Sequence, residues 1–123
     1  MTAIEIEKMT TNELVEHFVA IAIDQDKASL EENNAKYNRL YSQMEAVRSE
    51  LKIRPGDQRK ALLPLLNHPN LQVRLKAAIT TLAVAPGPSR QVLRTIASSN
   101  RLPQAANAGL ILNGLKDGSF VPK

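Results

Sequence analysis

DQRKALLPLLNHPNLQVRLKAAITTLAVAP, residues 57–86, decides how the rest of the chain is read. Two apolar series run through it: Leu62, Leu63, Leu65 and Leu66, then Val73, Ala77, Ala78 and Leu82. Each recurs at helical spacing, which predicts two short helices. Between them Asn67-His68-Pro69-Asn70 marks a tight turn. Asp57 is placed to cap the first helix and Asn70 the second. Pro64 cannot donate to the carbonyl of Lys60, so a bend is expected inside the first. In the second, Leu75 and Ile79 are expected near the edge of the buried side. Neither helix can hide its stripe alone, so the pair reads as one unit of a helical repeat.

Toward the C-terminus, Pro86-Gly87-Pro88-Ser89 is the next punctuation. A fifth helix is expected from about Ser89 to Ser98, with Val92, Leu93 and Ile96 inward, and Ser99-Asn100 breaks it. Pro103 suits the first turn of a sixth, where its missing N–H is tolerated. That helix carries Ala105, Ala106, Ala108 and Gly109, then Leu110, Ile111, Leu112 and Leu115. Small residues followed by large ones predict close packing on a neighbour. Lys116-Asp117-Gly118 ends it, and Phe120 is expected to dock the tail. The second hairpin follows the first at a near-constant period, as in a solenoid.

Toward the N-terminus, Thr10 and Glu13 have capping-box spacing at the start of a first helix. Leu14, Phe18, Ile21 and Ala22 form its stripe, widened by Val15 and Val19, with Glu13, Glu16 and His17 on the opposite side. Asn33-Asn34 is the only break before a second helix running to about Ile53. There Tyr37, Leu40, Tyr41, Met44, Val47 and Leu51 share a face. An unbroken rod would span ~60 Å at ~1.5 Å per residue, too long for so small a core, so an antiparallel hairpin is expected. Arg54-Pro55-Gly56 ends it.

The resulting expectation is one all-α domain over residues 1–123. It is an α/α superhelix, a right-handed solenoid of about six helices in three antiparallel hairpins. Residues 1–54 form an acidic hairpin and 55–123 two repeat hairpins. The 123 residues hold no cysteine, which excludes disulfides and thiolate chemistry. No basic leader precedes a long apolar run, and the apolar stretch 18–23 is too short to span a bilayer. A cytoplasmic protein without membrane association is expected.

The run LLPLLNHPNLQVRLKAAITTL resembles a HEAT-type repeat. The resemblance is carried by Pro64, Pro69, the pair Val73-Arg74, Ala77-Ala78 and Leu82. More broadly, the DQR, HPN, VRLKAA and PQA segments are similar to a group of small uncharacterised bacterial proteins of armadillo/HEAT-like fold. That resemblance implies the fold and no activity. It also implies that Arg74 serves packing by donating to turn carbonyls. Where such repeats carry a turn acid, this chain has His68.

Net charge is +4 but unevenly spread. Residues 1–54 hold seven Lys/Arg against ten Asp/Glu, whereas 55–123 hold nine against Asp57 and Asp117 alone. The basic excess falls on Arg59, Lys60, Lys76, Arg90, Arg94 and Arg101, the candidate contacts for an anion or a partner. If several share one side, they can follow a phosphate backbone, as the concave surface of HEAT-like DNA glycosylases does. No aromatic side chain lies between residues 55 and 119 to stack a base.

His17 and His68 lack metal-ligand spacing, and no nucleophile, base and orienter can be assembled. Asp24, Asp26, Glu31 and Glu32 lack the glycine and ligand order of a calcium loop. Tyr37 and Tyr41, one turn apart, are expected to pack rather than clamp a ligand. No catalytic residue, metal or cofactor is therefore assigned. The expected function is a non-enzymatic protein-interaction module whose partner is another protein, with a homo-oligomer allowed. The alternative is nucleic-acid binding through the basic 55–123 half.

Overall fold

A computed structural model describes residues 3–123, with side chains from residue 5 onward. Among the described residues every regular element is helical and no strand occurs. They are α1 (Ala3–Lys8), α2 (Thr11–Leu30), α3 (Asn34–Ile53), a 3₁₀ helix (Gln58–Asn67), α4 (Leu71–Thr81), α5 (Pro86–Ala97) and α6 (Gln104–Asp117). That makes seven helices where about six were expected. The chain divides into two compact units, Met1–Leu62 and Leu63–Lys123.

In the N-terminal unit, α2 starts at a complete capping box. The Glu13 N–H donates to Thr10 Oγ1 (3.1 Å) and the Thr10 N–H to Glu13 Oε1 (2.8 Å). Leu14, Phe18, Ile21 and Ala22 are buried, as the spacing requires, joined by Gln25 and Ala28. The hairpin is made by chemistry at its turn. Glu32 takes a left-handed conformation (φ 55°), the Asn33 N–H reaches back to Ala28 O (2.8 Å), and Asn33 Oδ1 accepts from the Lys36 N–H. These bonds end α2 and start α3, and α3 then packs along α2. Leu40, Met44, Val47 and Leu51 are buried. Tyr37 is only half-buried and Tyr41 is 50 % exposed, so the tyrosines flank the stripe instead of filling it.

α1 was not foreseen. A single helical turn leaves carbonyls unpaired, and Arg54 supplies donors from far along the chain. Its Nη2 donates to Ile6 O (3.3 Å) and Met9 O (2.6 Å), its Nη1 to Thr11 Oγ1 (3.3 Å), and its Nε to Glu50 Oε2 (2.8 Å). Arg54 thus ties α1 and the start of α2 to the end of α3.

The segment after Gly56 is a 3₁₀ helix rather than a bent α-helix. Pro64 removes a donor in mid-segment, where an α-helix would lose its bond to the Lys60 carbonyl. Leu62 and Leu66 are buried, while Leu63 and Leu65 are half-buried.

The C-terminal unit is built around α4, which packs against both α5 and α6, while α5 packs on α6. Asn70 Oδ1 accepts the Val73 N–H (3.1 Å), the expected cap. α4 is buried on almost every side. Leu75, expected at the edge, is 1 % exposed, and Ala77 and Ala78 are fully buried. Two polar pairs serve this packing. Thr81 Oγ1 and Ser89 Oγ lie 2.7 Å apart, and Gln104 Nε2 donates to Gln72 Oε1 (3.0 Å). α5 begins at Pro86, not Ser89, with proline in its first turn. In α6, Pro103 sits at the cap position rather than inside the helix. Ala105, Ala108 and Gly114 are buried, but Leu110 is 72 % exposed, against the expectation. Gly118 turns left-handed (φ 82°), and the Phe120 N–H bonds to Gly114 O (3.0 Å), docking the tail on the last turn.

Candidate interaction groove

The six basic candidates do not form one set. Arg59 is 2 % exposed, and its Nε and Nη2 grip Asp57 at 2.9 and 2.7 Å. Lys76 lies within α4 and is 8 % exposed. Both are removed from the surface, which corrects their reading as anion contacts. Asp57 also accepts the Arg59 N–H and caps the 3₁₀ helix, and Arg59's side-chain hydrogen bonds hold its carboxyl below the ordinary range. Lys60 is exposed in the N-terminal unit. Arg90, Arg94 and Arg101 are exposed in the C-terminal unit. Of these, Arg90 and Arg94 lie one turn apart on α5, whose inward side is Ser89, Leu93 and Ile96.

The C-terminal unit also has a groove of about 220 Å³. Its apolar lining is Leu66, Val92 and Ile96, and its polar lining is Asn67, Arg74, Gln91 and Thr95. Arg74 stands in the first turn of α4 and its side chain reaches back to the preceding turn. Its Nη1 donates to His68 O (2.9 Å) and, at the limit of hydrogen bonding, to Pro69 O (3.4 Å). This is the packing role its position implies. Among the described residues, its Nε and Nη2 find no protein acceptor. Arg94 Nη1 reaches Gln91 Oε1 at 3.5 Å, so a second guanidinium stands against the rim. Among the described residues, no Asp or Glu lines the groove.

His68 fills the turn acid's place in a different way. Its Nδ1 accepts the Asn70 N–H at 3.0 Å, as an aspartate oxygen would. That bond makes it a turn residue. His17 is not on the outer side of α2 as expected. It is half-buried, its Nε2 is enclosed with no hydrogen-bond partner among the described residues, and burial lowers its pKa. Among the described residues, no cluster of three His, Asp or Glu side chains could hold a metal ion, and no helix is long and apolar enough to cross a membrane.

Of the groove-lining residues, Asn67 and Val92 were legible only as a turn and a core position, and Gln91 and Thr95 carry no sequence signal of their own. Only the packing of α5 beside the turn before α4 brings them together.

These features define an all-helical protein whose C-terminal unit bears a small, basic-rimmed groove. The chain belongs to the family described as Domain of unknown function (DUF2019), which matches residues 12–116. It is similar to the crystal structure of the protein RPA1889 from Rhodopseudomonas palustris CGA009, with 48 % identity and a TM-score of 0.93, covering 96 % of this chain and 98 % of that one. No curated protein matches the chain. Neither similarity assigns an activity.

Proposed function

We propose that this protein is a small, non-enzymatic, HEAT-like interaction module that works in the cytoplasm and holds another protein through the outward side of α5. The observation that carries this reading is Arg90 and Arg94, exposed one turn apart on α5, in a unit whose groove, among the described residues, has no acid in its lining. Residues 63–123 contain seven Lys/Arg and a single acid, Asp117, so their field favours an acidic partner. The helical-repeat reading rests on the sequence of residues 57–86 and on α4, α5 and α6 packing mutually. The expected result is that the immobilised chain retains a partner from the lysate of cells that express it, and that Arg90→Glu with Arg94→Glu releases it. A partner held equally well by the charge-reversed chain refutes the reading.

A second reading, contact with a nucleic-acid backbone, is favoured by the same excess of cations. Its test is anisotropy against duplex DNA at low and high salt, because phosphate contacts must strengthen as salt falls. No binding at low salt removes it.

A further inference from the structure

We infer that the groove between the turn before α4 and the Gln91, Val92, Thr95 and Ile96 side of α5 receives an apolar anchor of an acidic linear segment, whose carboxylate lies on Arg74. This inference rests on the interaction-module reading and names the class of partner. Size argues first. At about 220 Å³ the groove falls below the ~300–1,000 Å³ that enclose drug-sized ligands or cofactors, and suits one or two side chains. Chemistry argues second. Leu66, Val92 and Ile96 offer an apolar side to an anchor, which a phosphate backbone does not possess. Asn67, Gln91 and Thr95 offer amide and hydroxyl groups to a peptide backbone.

Charge complementarity selects the sign. Arg74 is held by turn carbonyls through Nη1, which fixes the guanidinium while Nε and Nη2 stay open to a ligand. A pre-positioned planar fork favours bidentate carboxylate binding. Arg94, against Gln91, adds a second cation at the rim, and no lining acid opposes it. The occupant is therefore a segment that sets an Asp or Glu beside a leucine-like residue.

A random peptide library displayed on phage and panned against the full chain tests this. The expected output is enriched in acids beside large apolar residues. Synthetic copies of the selected peptides should bind at least about tenfold more weakly to Thr95→Trp, which fills the groove from an exposed position, and to Arg74→Gln. Melting temperatures check folding, and Thr95→Trp keeps the test decisive if Arg74→Gln unfolds. Output without acid enrichment, or peptides indifferent to Thr95→Trp, overturns the inference. Oligothymidylate binding that Thr95→Trp abolishes, with no peptide selected, overturns it in favour of nucleic acid. If the inference fails while Arg90→Glu with Arg94→Glu still releases a cellular partner, only the groove assignment falls. If that release is also missing, the broader reading falls with it.

Discussion

Gly114 offers a test in which one substitution changes sign with its background. A Cβ built on Gly114 would lie 2.8 Å from Phe120 Cβ, closer than such atoms approach. The obstacle is the root of a side chain on the docked tail, so no rotamer change removes it. The simplest relief is for the tail to peel away. That forfeits the half-burial of Phe120, about 1 kcal/mol at half the value for a fully buried aromatic. It also forfeits the bond from the Phe120 N–H to Gly114 O, about 1 kcal/mol. Against this, Ala is favoured over Gly inside a helix by about 1 kcal/mol. Gly114→Ala should therefore destabilise the native chain by about 1 kcal/mol, a fall of roughly 4 °C in Tm. In a Phe120→Gly background no Cβ remains to clash, and the same substitution should stabilise by about 1 kcal/mol. Urea titrations of the four chains, followed by far-ultraviolet circular dichroism, give a coupling of about 2 kcal/mol. Equal stabilisation in both backgrounds would show that the tail does not dock on Gly114, and the reasoning would fail.

Ala78→Leu should cost about 1–3 kcal/mol, because Ala78 is fully enclosed in α4 and added methylenes overpack it; thermal unfolding checks this. Asp57→Asn should cost about 2 kcal/mol, below the range for breaking a fully buried pair because Asp57 is a third exposed. The Asp57 pKa is lower folded than unfolded, so its contribution is complete above the ordinary carboxylate value of 3.8 and fades as pH falls through the folded value. Asp57→Asn should accordingly flatten the acid limb of a stability profile, and an unchanged limb would contradict the pairing. Arg54→Leu should release α1 without unfolding α2 and α3, seen as faster amide exchange confined to residues 5–9.

Parts of the fold legible from sequence were those whose chemistry is local. The Thr10–Glu13 box, the Asn70 cap and the stripe Leu14, Phe18, Ile21, Ala22 need only neighbours a turn away. Features set by distant partners were not legible. α1 depends on Arg54, which follows it by more than forty positions. Leu110 was misassigned because α6 is apolar or small around much of its circumference, so periodicity cannot say which side is inward. Pro86 was read as punctuation, although proline also opens helices, as it does here. Among the candidate contacts, charge alone could not separate Arg90 and Arg94, which face water, from Arg59 and Lys76, which do not.

Arg74 joins the structural and functional arguments, and it also shows why they must be tested apart. Its bond to His68 O gives it a sufficient structural reason to be where it is. Loss of binding in Arg74→Gln could thus follow from a loosened turn, with no ligand on the guanidinium at all. Thr95 has no such duty. It is exposed, and among the described residues its hydroxyl donates only to the Gln91 carbonyl on its own helix (3.1 Å). A tryptophan there blocks the groove while leaving the Arg74 bonds intact. A peptide that senses both substitutions is held by the groove and its cation together, whereas one that senses Arg74→Gln alone is reporting on the turn.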